Sequence, residues 1–471
     1  MEHSEEEAVM PRTWRRVGAA MFTVAFGANL FAPMLEVYRE QDGLSESFVT
    51  GMLGIYAAGL VPALLVFGPV SDHRGRRAVM RPALAVVFAA SLILAAASQT
   101  SEWLLYLGRW IMGFGVGMAM SSGSAWVKQL STDQPGAGPR RATVVLSAGF
   151  GAGPLAAGLL AQFLPAPQAT PFMVHLVLVL VGAAMVWCVP ETQPAIQGPR
   201  PRQPLVPPIA LTGRFFWVVA AWAPWVFGTA TVAFASIPLY TLSSVRFPIA
   251  YLGLVASVVM LTGVLVQPLA ARLGEDGWLP LSVTGLGAAS AGLRLGALTV
   301  TWHLSWLAIP TAVLLGVSYG FMMVAGLREV ELLARPHELG ALIGVFYTLT
   351  YVGFAVPFVL SFLAPAVARV AGVGKTTGFV WCLLAGVVVC AASAVPVARA
   401  ASRVVPDPGT TAQRRLTGPG PRGVASRARA LERRPGRRGP GLPDQEPLPG
   451  DPLPACTPWD RPAHGADTLS A

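Results

Sequence analysis

Charge is scarce in this sequence. Only 12% of its 471 residues are Asp, Glu, Lys or Arg, roughly half the share of an ordinary soluble protein. More than half of the residues, 54%, are hydrophobic. A chain this apolar cannot cover its surface with charged side chains, so an ordinary soluble domain is excluded. Lipid is the solvent that this composition fits.

Cysteine is also scarce, and nucleotide-binding motifs are missing. The four cysteines form no CxxC pair and no Cys/His cluster, so we expect no metal site, no disulfide framework and no cofactor. Gly374-Lys375-Thr376 matches the end of a phosphate-binding loop. Arg369, however, stands where that motif requires its first glycine. We therefore expect no ATPase chemistry.

The basic residues do not form a nucleic-acid surface, although the net charge is +10. They lie in short loops between apolar runs and in a C-terminal tail, and only Lys128 and Lys375 are lysines. A basic soluble domain with interleaved aromatics, which could hold a phosphate backbone, is missing. We expect no nucleic-acid partner.

Twelve apolar runs are each long enough to cross a bilayer, which takes about 20 residues. They cover 17–37, 47–67, 78–98, 103–125, 142–164, 171–189, 215–239, 249–271, 279–300, 305–326, 339–364 and 377–399. The predicted fold is therefore all-α, with twelve transmembrane helices in two six-helix bundles.

A linker rich in Pro and Arg divides the runs into six and six. The predicted domains are an N-terminal segment 1–16, a first bundle 17–189, the linker 190–214, a second bundle 215–400 and a tail 401–471. The tail is rich in Pro, Gly and Arg without periodicity, which predicts disorder.

The loops predict an orientation. If the N-terminus is cytoplasmic, eighteen Arg and Lys residues flank the spans on the cytoplasmic side and four lie in the outer loops. Such an excess marks the cytoplasmic side. Both termini are then expected in the cytoplasm. A faint repeat links 68–75 with 267–274, 199 residues later, and it suggests two parallel halves with a solute path between them.

The most specific motif is the stretch GPVSDHRGRR, which follows the second span. It includes Gly68, Asp72, Gly75, Arg76 and Arg77. The stretch resembles the G-x-x-x-D-R-x-G-R-R loop of the major facilitator superfamily, with a histidine at the position of the usual first arginine. The resemblance implies a major facilitator transporter in which this cytoplasmic loop is a conformational latch. A carboxylate beside arginines can form such a latch through charge-assisted hydrogen bonds.

The fourth span contains Arg109, followed by Gly113, Gly115 and Gly117. This resembles the intramembrane arginine and glycine stripe of the same family. An arginine about 9 Å below the surface is costly, so Arg109 is a proton-coupling candidate, with snorkelling to the outer interface as the alternative. Glu36 lies at a similar depth in the first span and is the candidate carboxylate. Its alternative is an interfacial residue in solvent.

The fifth span carries Gly149, Gly153, Pro154 and Gly158. They resemble the G-x(3)-G-P-x(2)-G-G pattern that marks antiporters within the superfamily. Helix packing alone is the alternative, because glycines four residues apart let a neighbouring helix approach closely.

Two residues are candidates for the solute cavity. Asn29 is a polar residue within the first span, and Trp225 is the deepest tryptophan of the seventh. An aromatic side chain can line a ligand cavity, but it can equally anchor a helix at the membrane interface.

The expected function is proton-linked export of a small organic compound by a monomer in a bacterial plasma membrane. The alternative is an importer or facilitator for a sugar, amino acid or organic acid. Without nucleotide machinery, active transport would use an ion gradient, with protons as the coupling ion.

Overall fold

The computed structural model describes residues 2–97, 101–131, 137–193, 206–275, 281–334 and 338–402. Twelve helical segments follow one another in this part of the chain. They are α1 (Glu2–Gln41), α2 (Glu46–Arg74), α3 (Arg76–Ala97), α4 (Trp103–Gln129), α5 (Ala137–Phe163), α6 (Thr170–Trp187), α7 (Gly213–Ser244), α8 (Pro248–Leu265, continued by Gln267–Glu275), α9 (Leu281–Thr301), α10 (Ser305–Leu333), α11 (Leu339–Ala371) and α12 (Lys375–Ser402).

Eleven of the twelve segments are long and apolar enough to cross a membrane, judged by length and composition alone. The twelfth, α4, has 27 residues and is also long enough, but Arg109 and its glycines lower its hydropathy. The described residues are helical with no strand. The predicted all-α fold of twelve helices in two halves, α1–α6 and α7–α12, is confirmed. The predicted tail 401–471 lies outside the described residues from position 403 onward.

Apart from the turn at Val266 in α8, two of the twelve helices are broken, although the sequence predicts a single continuous span in each case. After the α-helical residues Gly213–Phe215, α7 is π-helical over Phe216–Ala220, turns, and resumes as an α-helix over Trp225–Ala235. α11 is interrupted by a 3-10 turn over Val352–Ala355. The two breaks pack together, because Thr231 of α7 donates its hydroxyl to the Gly353 carbonyl at 3.1 Å.

Small residues allow the helices to approach closely within the first half. A Cβ atom at Gly113 of α4 would lie 2.0 Å from the carbonyl oxygen of Tyr56 in α2, and one at Gly117 would lie 2.5 Å from that of Leu60. In lipid, helices associate through such contacts, because there is no hydrophobic driving force between them. The glycine stripe of α4 therefore fixes the distance between α2 and α4.

We expect Gly113→Ala to destabilise the protein by about 1–3 kcal/mol, because the added methyl group forces the two backbones apart. Thermal unfolding of the purified protein in detergent measures this as a lower midpoint. Gly54→Ala in α2 is the matched control, since a Cβ there meets nothing within 4 Å. Alanine at that position leaves the midpoint unchanged or raises it. Equal midpoints for the two variants would contradict the close contact.

Candidate functional site

The loop between α2 and α3 places Asp72 and Arg76 in direct contact. Their Oδ1 and Nη1 atoms lie 2.6 Å apart, with Asp72 exposed and Arg76 buried. The Arg76 guanidinium also donates to the Ser71 hydroxyl at 3.0 Å. Gly75 closes the turn with a φ of 100°, a conformation that only glycine adopts at low cost. A Cβ at Gly68 would meet nothing within 4 Å, so packing does not require glycine at this position.

Glu191, which follows α6, binds the first turn of α3. Its Oε1 accepts from the backbone N–H of Arg76 at 2.9 Å, and its Oε2 accepts from that of Arg77 at 2.8 Å. The start of a helix carries unpaired N–H groups and a partial positive charge, and a carboxylate there satisfies both. A Cβ at Gly75 would lie 2.6 Å from Glu191 Oε2. Glycine at this position therefore also makes room for the carboxylate.

Gln129, at the end of α4, completes the cluster. Its Oε1 accepts from Arg76 Nε at 3.3 Å and from the Thr192 hydroxyl at 2.6 Å. The ends of α2 and α4, the start of α3 and the segment after α6 are thus held together, all within the first half. Glu191 is the functional residue that the motif did not reveal. Its only sequence signal is the Pro-Glu-Thr ending of the sixth span.

We expect Glu191→Gln to weaken this cluster by about 0.5–1.5 kcal/mol, because a neutral amide is a poorer partner for the start of a helix. Hydrogen–deuterium exchange measures this as faster exchange over residues 76–80. Glu102→Gln is the matched control, since Glu102 stands at the start of α4 but makes no side-chain capping bond. If exchange over 76–80 is the same in both variants, Glu191 does not stabilise the start of α3.

Arg109 is buried, with 1% of its surface exposed. Its guanidinium carbon lies 4.2 Å from the ring centre of Phe31 and 4.4 Å from that of Tyr56. Nη1 donates to the Ala28 carbonyl at 3.4 Å, whereas Nε has no partner among the described residues. The charge is held by two aromatic faces and one carbonyl, not by a carboxylate. Arg109 therefore does not snorkel to the interface.

Glu36 pairs with its own helix instead of Arg109. Its Oε2 lies 2.8 Å from Arg39 Nη1, one turn further along α1. The structure therefore does not bring together the two residues that the sequence analysis matched by depth. Depth along a helix does not fix the direction of a side chain around it, and an arginine three residues away is a closer partner.

Pro154 in α5 explains the contact made by Asn29. Proline has no N–H, so the carbonyl of Phe150, four residues earlier, loses its helical partner. Asn29 of α1 donates Nδ2 to this carbonyl at 3.4 Å. On either side, Cβ atoms at Gly149 and Gly153 would lie 2.5 and 2.3 Å from carbonyl oxygens of α1. This part of the motif thus fastens α5 to α1.

The rest of the α5 motif faces the second half of the protein. A Cβ at Gly158 would lie 2.8 Å from the carbonyl oxygen of Ile249 in α8. Ser257 of α8 donates its hydroxyl to the Gly151 carbonyl at 2.5 Å. Beyond them, Gln162 Oε1 accepts from the backbone N–H of Ile249 at 2.9 Å, at the start of α8.

These contacts cluster toward one side of the protein. We call the side where α1 begins and α12 ends the termini side, and the opposite one the far side. The α5–α8 contacts run from the middle of α5 to its far-side end. On the same side, Lys375 Nζ at the start of α12 lies 3.1 Å from Glu46 Oε2 at the start of α2. The two halves are therefore joined at the far side in this structure.

Trp225, the second cavity candidate, is half-buried at the restart of α7, with its ring 3.8 Å from the Cβ position at Gly386 in α12. Its backbone carbonyl accepts from the Thr229 hydroxyl at 2.9 Å. It packs against α12 in the second half, whereas Asn29 binds α5 in the first. The two cavity candidates therefore lie in different halves.

His175 in α6 is a packing residue. Its Nε2 donates to the Thr23 carbonyl at 3.0 Å, and its Nδ1 lies 2.7 Å from the Ser91 hydroxyl. The ring is fully buried and connects α6 with α1 and α3. Both nitrogens are satisfied.

Twelve helices in two halves, eleven of them long and apolar enough to cross a membrane, define the class of α-helical membrane proteins. The family model described as Major Facilitator Superfamily matches residues 17–358. The chain belongs to this superfamily.

Solved structures of transporters share the fold. A POT family transporter in complex with 5-aminolevulinic acid superimposes with a TM-score of 0.67 at 13% identity, covering 83% of this chain and 96% of that one. The nucleoside transporter NupG gives a TM-score of 0.65 at 13% identity, covering 82% and 99%. Tetrameric PepTSo2 gives 0.65 at 12% identity, covering 84% and 100%. At these identities the likeness establishes the fold alone. No protein of curated function matches the sequence significantly.

Proposed function

We propose that this protein exports a small organic compound in exchange for protons, by alternating access. The observation that carries the proposal is the packing of the antiporter-like motif of α5 against α8. Gly158 allows the two backbones to touch, and Gln162 caps the start of α8 across the boundary between the halves. These contacts close the far side and break when it opens.

The nature of the contacts fits a reversible closure. A hydrogen bond contributes about 0.5–1.5 kcal/mol net to the stability of the closed state. At the glycines the two backbones touch directly, so no side chains interlock there. The α1–α5 contacts lie within one half and can persist while the α5–α8 contacts separate. A solute site between the halves is then exposed alternately to either side.

Protons are the proposed coupling ion. Glu36 is the acidic residue within the predicted first span, 17–37, and it lies near the far-side end of α1. Its protonation would remove the ion pair with Arg39 and free that arginine. Arg109 keeps a permanent positive charge deeper in the same half. The two residues have no direct contact, so each is proposed separately as a coupling residue of the first half.

We propose a bacterial plasma membrane as the location, with the termini side in the cytoplasm and the protein working as a monomer. A small organic solute and protons are the partners, and the bilayer is the solvent. Import or facilitated diffusion of a sugar, amino acid or organic acid is the alternative, and dependence of the flux on a proton gradient separates the two.

We expect Glu36→Gln and Arg109→Gln to abolish the dependence of flux on a pH gradient in proteoliposomes. The first removes the proposed titratable group, and the second removes the buried positive charge of the first half. Arg294→Gln in α9 is the matched control, because this arginine is exposed and its loss leaves coupling intact. Gradient-driven flux that persists in Glu36→Gln would rule out Glu36 as the proton site.

We expect Gln162→Ala to open the far side more often, because the start of α8 loses its cross-half cap. Double electron–electron resonance between spin labels at Ser101 and Arg246 measures this as a larger population of long distances. The matched control is Gln168→Ala, which removes a hydrogen bond to Asp42 within the first half, also at the far side. The same distance distribution in both variants would contradict the proposed closure.

A further inference from the structure

An aromatic cluster lies between the two halves near the middle of the bilayer. Phe227 of α7 stacks on Tyr351 of α11 at 4.7 Å between ring centres, and it also contacts Tyr319 of α10 at 5.3 Å. Phe354 of α11 lies 5.2 Å from Phe227 and 5.9 Å from Tyr56 of α2. Tyr56 is about 15 Å along α2 from its far-side start, and a bilayer core is about 30 Å thick. The cluster thus joins the halves at mid-depth.

Both broken helices meet at this cluster. The 3-10 turn over Val352–Ala355 contains Phe354 and follows Tyr351 directly. Phe227 lies in the first turn of the α7 segment that resumes at Trp225. Transporters place discontinuous helices at mid-membrane binding sites, because irregular backbone is tolerated there only next to protein or a cavity.

The tyrosine hydroxyls of the cluster have no hydrogen-bond partner among the described residues. They belong to Tyr56, Tyr319, Tyr351 and the neighbouring Tyr347. Tyr38 has the only fully enclosed, unpartnered tyrosine hydroxyl in the described part of the chain. The four hydroxyls of the cluster therefore reach accessible space. Buried polar groups normally have partners, so these four are free to bond a solute.

The charge around the cluster is positive. Arg109 lies against the Tyr56 ring, 4.4 Å from its centre. The acids of the described spans lie toward the two sides: Glu36 pairs with Arg39 and Glu46 with Lys375 near the far side, whereas Asp72 pairs with Arg76, and Glu329 and Glu331 end α10, at the termini side. The aromatic faces would accept a cation, but Arg109 repels one and attracts an anion.

We propose that this cluster is the solute site, and that it takes a planar aromatic compound with hydroxyl, carbonyl or carboxylate oxygens, uncharged or anionic. The rings of Phe227, Tyr351 and Phe354 supply stacking faces. The hydroxyls of Tyr319, Tyr347 and Tyr351 bond the oxygens of the solute, which enters when the halves separate and replaces the ring contacts between them. This inference rests on the proposed export function for the transport of the bound compound, but the binding itself does not need a proton gradient.

Binding to the purified full-length protein in nanodiscs, measured by isothermal titration calorimetry, tests the proposal. The probes are β-naphthol, β-naphthoate, decahydro-β-naphthol and naphthyltrimethylammonium. They share a two-ring frame and differ in aromaticity or charge. We expect naphthol and naphthoate to bind at least about tenfold more tightly than the saturated alcohol, because stacking is lost in the latter. We expect the cation to bind most weakly of the aromatic probes.

Variants locate the site. Tyr351→Phe and Tyr319→Phe each remove one hydroxyl and keep the ring, and we expect naphthol to bind roughly threefold to tenfold more weakly to each. Phe227→Leu keeps bulk but loses stacking, and we expect a similar loss. Tyr240→Phe is the matched control, because Tyr240 stacks on Phe379 at the far-side end of α7, outside the cluster, and its change leaves affinity unaltered.

Several results would overturn the proposal. These are equal affinity for the saturated and aromatic alcohols, tightest binding of the cation, unchanged affinity in Tyr351→Phe and Tyr319→Phe, or no binding of any aromatic probe. The outcome is separable from that for the export function. Aromatic binding that depends on Tyr351, together with flux that ignores the pH gradient, keeps the solute site and rejects proton coupling. Gradient-driven flux of a non-aromatic compound rejects the site alone.

Discussion

The structure depends on α5 lying against two helices at once. Gly149 and Gly153 allow it to lie close against α1 in its own half, and Gly158 allows it to lie close against α8 in the other. In lipid, such backbone contacts replace the hydrophobic effect that holds soluble helices together. One helix therefore transmits the position of one half to the other. Pro154 lies between the two contact regions and frees the carbonyl that Asn29 binds, so the α1–α5 contact also includes a polar bond.

A second constraint acts at the termini side of the first half. Glu191 neutralises the start of α3 while Arg76 joins Asp72 and Gln129. Four chain segments converge on two exposed carboxylates, Asp72 and Glu191, and on one buried arginine. Because all of them belong to the first half, the cluster ties four segments of that half together, which suits a half that moves as one body in alternating access. A contact between this cluster and the second half, which is the latch that the loop motif predicts, would add to its role within the first half.

The sequence predicted most of this architecture, and its failures have physical causes. The number of helices followed from apolar runs, and the loop motif singled out Asp72 together with Arg76 and Arg77. Glu191 was missed because it is 115 positions from Arg76, and only tertiary packing brings the two together. The breaks in α7 and α11 were missed because hydropathy does not register backbone geometry. Their two segments remain apolar throughout, and the breaks are marked only by Pro224 in α7 and by Gly353 and Pro357 in α11.

The position of Tyr56 connects the two parts of the site. The Tyr56 ring contacts Arg109 in its own half and Phe354 in the second half. When α11 moves away from α2, Phe354 leaves this ring, and the charge of Arg109 then lies one aromatic ring away from the opened space. Because water screens such a charge and an enclosed site does not, Arg109 acts on a solute most strongly while the halves are closed around it. An arginine charge is costly to bury in lipid. Here the same charge makes closure of the halves around an uncharged or anionic aromatic solute more favourable than closure around a cation.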